Sequence, residues 1–364
     1  MGKTATLANI GSVADSSLGF RNRIINGAMV IDQRNAGASV SIDGAAPYTL
    51  DRYLCQDNTD GSFSVQQSST APTGFNSSLL VTITGTDSSL TTTQFGRIVQ
   101  RIEGYNIADL GWGTASAQTV TLSFWVRSSV TGTFSGVLNN SAGDRLYAFT
   151  YTINAANTFE YKNITIAGDT TGTWLTTNGT GVELNLSIGA GPSRTVAAGS
   201  WGTSLAYAAT GQTNLFATAS ATWYITGVQL EKGSTATSFD YRPYGTELML
   251  CQRYFEKSYN IGTAPTTATT IGMFQYFGGS DAGNNILPCI PFAVRKRATP
   301  TCTFYNQATG ASGTWDYARS GASGTITMTQ DAATGENSII AYGGVGTAYV
   351  VTRSYGHWIA SSEL

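Results

Sequence analysis

An all-β fold is what this chain predicts, and three observations predict it. Short runs alternate polar and apolar side chains with period two, the signature of a half-buried strand. Helical periodicity is almost absent. The 42 glycines, with Ser and Thr making up about a quarter of the residues, gather in the turn clusters that separate the runs. Strands with one apolar face and no helices between them must be covered by a second sheet, which argues for an antiparallel sandwich over βαβ units. The expected organisation is an N-terminal arm (1–22), a jelly-roll-like β-sandwich (23–243), a short helical linker (244–258) and a smaller second β-sandwich (259–364).

The arm is small and polar, and its apolar residues Leu7, Ile10, Val13 and Leu18 are irregularly spaced. Alone it cannot bury enough surface to offset its ordering entropy, so these four residues are the candidate anchor to a neighbouring subunit or a partner protein. The first sandwich is carried by residues 78–84, 118–126, 159–166, 181–188 and 222–230, within about eight runs that suit a jelly roll. In the second of these, alternation places Val120, Leu122, Phe124 and Val126 on one face. Pro243 and Gly245 then interrupt the pattern. Residues 246–255 form the best short helix, with Thr246 as its cap and Leu248, Cys251 and Phe255 on one face. After a Thr/Ala-rich loop at 262–270, strand runs at 271–277, 286–293, 300–305, 324–330, 338–342 and 348–355 make the second β unit. No period of 20–50 residues repeats, which argues against a solenoid or propeller.

Charge excludes several functions. Charged residues are 12% of the chain, about half the share usual in soluble domains. The formal net charge is −2, and the densest basic run is Arg295-Lys296-Arg297, so there is no electrostatic footprint for nucleic acid or an anionic membrane. Apolar runs such as 79–83 are far shorter than the ~20 residues of a membrane helix, and no membrane insertion is expected. Eighteen Tyr, 15 Phe and 7 Trp argue against disorder. The first residues lack the apolar core of a secretion signal, so synthesis and folding in a cytoplasm are expected. Cys55, Cys251, Cys289 and Cys302 show no metal-ligand spacing; buried reduced thiols are favoured over disulfides, with pairing left open.

Catalytic chemistry has little to stand on. His357 is the single histidine and has no Gly-x-Ser-x-Gly elbow beside it, so a packing or surface role is expected. A glycosidase needs two facing carboxylates; the candidates are Asp109, Asp144, Glu160, Asp169, Glu183 and Glu231, several on strand faces or turns where solvated charge is ordinary. The glycines of 172–174 and 343–346 are turn formers, not phosphate loops. Asp57-Asn58-Thr59-Asp60-Gly61 carries calcium-type ligands, but a plain turn accounts for it. No metal, cofactor or catalytic residue is expected. Aromatic residues are more informative. Trp112 and Trp201, each flanked by small residues, are the candidate glycan-stacking side chains; the competing role is to plug a sandwich end or a subunit contact.

Several strings resemble a family of bacteriophage virion structural proteins, notably of marine and cyanobacterial phages. They are Arg21-Asn22-Arg23-Ile24-Ile25-Asn26-Gly27-Ala28-Met29-Val30-Ile31-Asp32-Gln33-Arg34, followed by Tyr48-Thr49-Leu50-Asp51-Arg52-Tyr53; Ile225-Thr226-Gly227-Val228-Gln229-Leu230-Glu231-Lys232-Gly233 with Ala236-Thr237-Ser238-Phe239-Asp240-Tyr241-Arg242-Pro243; Glu247-Leu248 with Cys251-Gln252-Arg253-Tyr254-Phe255-Glu256-Lys257-Ser258; and the ending Trp358-Ile359-Ala360-Ser361-Ser362-Glu363-Leu364. The resemblance implies jelly-roll modules similar to carbohydrate-binding modules, placed in tail fibres, head fibres or capsid decorations. It further implies a virion location, a homo-oligomer (a trimer if the protein is a fibre), other virion proteins as partners, and a host-surface glycan as ligand. A decoration or connector protein without a ligand is the alternative, and a polysaccharide depolymerase a more distant one.

Overall fold

The computed structural model describes residues 20–279, 285–345 and 351–364. The anchor candidates Leu7, Ile10, Val13 and Leu18 lie outside the described residues.

Fourteen strands build the first unit: β1 (Val40–Ile42), β2 (Tyr53–Asp57), β3 (Ser62–Ser68), β4 (Ser78–Gly85), β5 (Phe95–Glu103), β6 (Val120–Ser128), β7 (Gly132–Asn139), β8 (Leu146–Ile153), β9 (Glu160–Ile166), β10 (Thr180–Ala190), the two-residue β11 (Thr195–Val196), β12 (Trp201–Gly202) and β13 (Ala208–Ala209), and β14 (Thr222–Lys232). Two six-stranded antiparallel sheets result, in the orders β1-β3-β4-β14-β6-β9 and β12-β8-β7-β10-β5-β2. Val120, Leu122, Phe124 and Val126 are fully buried between them, as the alternation of β6 requires, together with Phe63, Leu79, Ile98, Leu184 and Trp223.

On β9 the alternation runs in an unexpected phase. Val120, Leu122 and Phe124 pair with Ile166, Ile164 and Lys162, whereas Trp125 pairs with Tyr161. The aliphatic half of β9 therefore faces the core, and Tyr161 faces out. Glu160 and Lys162 share the inward phase and pair with each other at 2.6 Å. Inward charges on an edge strand discourage further strand pairing. A second irregularity lies in β14, whose register with β6 shifts between Thr226 and Gln229. Gly227 turns the chain there at φ 63°. A β-carbon at Gly227 would sit 2.6 Å from the ring of Phe75 and 3.2 Å from that of Trp125.

The helix α1 (Tyr244–Gln252) starts two residues before the expected point. The Pro243 carbonyl, not the Thr246 side chain, opens it by accepting from the amides of Thr246 and Glu247. Proline's fixed φ suits an entry position. Cys251 joins Ile25, Ile31 and Tyr254 in a small core, while Phe255 has left the helix for β15 (Phe255–Lys257).

The second unit comprises β15, β16 (Phe274–Gly279), β17 (Asn285–Ile286), β18 (Cys289–Pro291), β19 (Thr301–Tyr305), β20 (Thr314–Arg319), β21 (Ala322–Thr327), β22 (Thr329–Gln330), β23 (Ser338–Gly344) and β24 (Val351–Ser361). Strand β24 is its spine, flanked by β15 and β16 on one side and by β19 and β20 on the other. Phe304, Trp315, Ile339 and Trp358 fill a separate core. The two units meet through charge. Glu103 accepts from Arg253 and from the Tyr254 hydroxyl at 2.6 Å each. Lys257 donates to the carbonyls of Gln33, Ile261 and Thr263. Glu363 takes Arg34 at 2.8 Å and also pairs with Arg52.

Candidate functional site

Trp112 and Trp201 do come together, but with their faces covered. Trp112, Trp174 and Trp201 form a triangle of edge-to-face contacts, with centroids 4.7, 5.3 and 5.4 Å apart. Tyr147 closes the outer side of Trp201 at 5.4 Å. The indole N–H of Trp112 donates to the Gln118 carbonyl at 2.8 Å, and that of Trp201 to Ala167 at 2.7 Å. Trp112 is 6% exposed. This is a plug at one end of the sandwich, and its rings are occupied by one another. Gly113 lets the loops close over the indoles, since a β-carbon there would lie 2.6 Å from the Gly172 carbonyl and 3.3 Å from Trp174, while Trp201 stays half-buried at the rim of the cluster.

Half-buried and exposed aromatic rings gather instead on the outside of the sheet containing β6, β9 and β14. Trp125 and Tyr161 are adjacent there, with centroids 5.5 Å apart. Beside them stand Phe75, Phe239 and Tyr241, mutually in contact at 4.8–5.4 Å. Tyr161 is 41% exposed and Tyr241 58%.

Local bonding explains how this cluster is held. The Tyr241 amide donates to the Phe239 carbonyl at 3.1 Å. This tight turn sets the two rings side by side, while Asp240 between them accepts from the backbone amides of Arg21 and Asn22. Phe75 sits on a turn closed by its own amide on the Pro72 carbonyl, and the Tyr241 hydroxyl donates to Gly74 on that turn. Partial burial raises the Tyr241 hydroxyl above the ordinary phenol range, so it stays protonated and able to donate.

Two grooves flank this ridge. One, of about 300 Å³, is floored by Gly227 and walled by Trp125, Tyr161, Phe75 and Phe239, with Ser123, Thr237 and Ser238 at its sides. The other, of about 220 Å³, shares Phe75, Phe239 and Tyr241 and continues over Asn76, Arg242, Tyr244 and Glu247. Sequence reasoning missed the site because its parts come from four separate segments. The readable trace was the string from Ala236 to Pro243, whose aromatics alternate with polar residues.

Residues 22–26, 228–230 and 242–247 converge beside the ridge. The Asn22 amide donates to Val228 and its oxygen accepts from Leu230. Arg242 donates to the Ile24 carbonyl and pairs with Glu247 at 3.2 Å. The Asn26 amide also donates to Glu247. These residues form a polar latch that joins the start of the sandwich to its last strand and to α1, and so fixes where Phe239 and Tyr241 stand.

The carboxylates of interest are already engaged. Arg23 bonds Asp109 at 2.6 Å and holds it below the usual carboxylate range. Burial pushes Asp169 upward, but the bonds from Arg145 and Thr171 outweigh it and leave it low. Glu160 is likewise carried down to about 2, burial being overcome by Lys162, Ala155 and Asn154. Glu183 pairs with Arg101 at 2.7 Å, Glu231 accepts from Thr237, and Asp144 accepts from Asn140. Asp57 closes an ordinary turn onto Thr59.

His357 is fully buried, stacked on Tyr259 at 3.7 Å. Its ring nitrogens meet the Ser258 hydroxyl at 3.0 Å and the Thr269 carbonyl at 2.9 Å. Burial lowers its pKa. The four cysteines are free thiols; Cys55 and Cys251 are buried, but Cys289 is exposed on β18 and departs from the expectation of burial. Among the described residues no group of three or more His, Cys, Asp or Glu could hold a metal, and no helix is long and apolar enough to cross a membrane.

No protein-family model matches the chain. No curated protein matches it. Solved structures similar to parts of it include the enzymatically active domain of tailspike protein 4 of bacteriophage CBA120, at 12% identity and TM-score 0.29, over 58% of this chain and 21% of that one. A family 4 carbohydrate-binding module is 14% identical at TM-score 0.27, over 57% of this chain and 98% of that one. The family 11 module of a Clostridium thermocellum cellulosomal cellulase is 10% identical at TM-score 0.27, over 55% and 98% respectively.

Proposed function

We propose that this chain is a non-enzymatic structural protein of a phage particle, a fibre or knob that binds a host-surface glycan on the outer face of its first sandwich. The observation that carries the ligand reading is the Phe75–Phe239–Tyr241 ridge with a groove on either side. Exposed aromatic rings next to hydroxyl and amide groups suit a sugar, which has apolar C–H faces and polar edges. The virion role is supported by the sequence strings and by low surface charge, which suits a long-lived part that is packed against copies of itself and other virion proteins. The non-enzymatic reading is supported by the six carboxylates, each of which is held by a cation, hydroxyl or amide.

The test uses the purified full-length chain in a host-cell adsorption assay and on a glycan array. Saturable binding that Tyr241→Ala abolishes is the expected result. Binding that Tyr241→Ala leaves intact would exclude the ridge as the site. Absence of any binding would favour a ligand-free decoration or connector protein. Release of reducing ends from host polysaccharide would overturn the non-enzymatic reading.

A further inference from the structure

Resting on the glycan reading above, we infer that the ligand is an electrically neutral glycan chain of two or more sugar residues, lying across the aromatic ridge with one part in each groove. The two grooves share the rings of Phe75, Phe239 and Tyr241. They are thus the two sides of one feature, and a ligand seated in either ends against rings that also face the other. A single sugar uses one side; a chain uses both.

The charge pattern selects the class. The groove floored by Gly227 is lined by no acidic or basic side chain. The other holds only Arg242 and Glu247, which neutralise each other at 3.2 Å. Arg242 turns both terminal nitrogens onto Glu247 and the carbonyls of Ile24 and Asn22, and its unpartnered Nε is buried away from solvent and so presents no donor to the groove. A uronic acid, sialic acid, sulfate or phosphate group is recognised by an unspent guanidinium or ammonium, and neither groove offers one. What the grooves do offer is uncharged: the hydroxyl of Ser238, the exposed amide of Asn76, and the half-exposed phenol of Tyr244. The depth of the first groove depends on Gly227, because a β-carbon there would lie 2.6 Å from Phe75.

Calorimetric titration of the full chain tests this with three sets of probes. The neutral set is dextran, galactomannan and O-chains without acidic sugars. The anionic set is alginate and polygalacturonate. The third set is the mono- to hexasaccharides of whichever neutral polymer binds. Only neutral polymers should bind, with affinity unchanged between about 0.05 and about 0.5 M NaCl, because no ion pair is there to be screened. The oligosaccharides should bind at least about tenfold more tightly than the monosaccharide, a difference of about 1.4 kcal/mol. Trp125→Ala, which opens one groove, and Tyr244→Ala, which opens the other, should each reduce this chain-length gain.

Preference for an anionic polymer, or a monosaccharide as tight as the hexasaccharide, overturns this inference and leaves the glycan reading standing. No binding to any probe, or binding that Tyr241→Ala does not change, overturns both. Phe239→Ala, which removes another ring shared by both grooves, repeats the ridge test if Tyr241→Ala fails to fold.

Discussion

The two outer faces of the first sandwich share one backbone plan and have opposite chemistry. Outside β10, β5 and β7 the sheet is polar yet covered. Asn185 and Ser135 are fully buried. Arg97 reaches Asn185 at 2.5 Å and Gln56 at 2.8 Å, and Tyr207 from the 191–213 segment lies 3.8 Å above its guanidinium. Ala206 and Ala209 pack on Val137 and Ala148 nearby. Toward the junction, Arg101 bonds the Leu364 carbonyl, and Glu363 sits between Arg34 and Arg52. Outside β6, β9 and β14, by contrast, aromatic rings are left open. A polar face that its own chain covers must find every hydrogen-bond partner within the protein, since water no longer reaches it and each orphaned group costs about 1–3 kcal/mol. The aromatic face is the one left uncovered, and its partly exposed rings are apolar surface that a ligand can bury.

Substitutions can break this contrast. The largest effect is expected on the closed side. Arg52→Ala removes a buried partner of Glu363 and the cation stacked 3.5 Å over Tyr254. Breaking a buried pair in this way costs about 3–5 kcal/mol, read as a fall in the urea midpoint with the slope unchanged. Arg97→Met should follow at about 2–3 kcal/mol, because Gln56 and Asn185 lose their donor under a closed lid. On the open face, Tyr241→Ala should cost about 1–2 kcal/mol, because it loses half-exposed ring contacts and one hydrogen bond to Gly74, yet abolish ligand adsorption.

A pH readout separates a buried carboxylate from one on the edge strand. Burial pushes Asp51 up from 3.8 to about 7, against Arg34 and the Gln33 amide. The folded state then holds a proton that the unfolded state releases, so this group's contribution is greatest below pH 3.8, declines as pH rises toward 7 and is flat above. Asp51→Asn should remove that slope. Glu160, carried down to about 2, has the opposite sign: its contribution is full above 4.5, the ordinary glutamate value, and is lost as pH falls toward 2. Glu160→Gln should flatten the acid limb only. Equal slopes in both variants would contradict the contrast.

Much of the fold was legible because a half-buried strand writes its period directly into the chain. Residues 118–126 told both that β6 exists and which side faces the core. The same period on β9 could not tell which side, since Phe159 and Tyr161 compete with Ile164 and Ile166 and only the partner strand decides. β20 went unseen because Trp315 and Tyr317 alternate with an acid and a small residue in a glycine-rich stretch, where turn chemistry masks the pattern. Thr246 looked like a helix cap, but Pro243 had already opened the helix.

Composition and alternation by themselves determined that this is a weakly charged β protein without a nucleic-acid footprint, because both are local properties of the chain. Where aromatic surface is free was decided only by the tertiary structure. Trp112 and Trp201, the conspicuous tryptophans, spend their faces on each other. Phe75, Trp125, Tyr161, Phe239 and Tyr241 are dispersed along the chain, and only the pairing of β6 with β9, the bulge at Gly227 and the latch through Asn22 and Arg242 bring them to one surface. Burial and adjacency are pairwise quantities between distant segments, and no single stretch of sequence contains them.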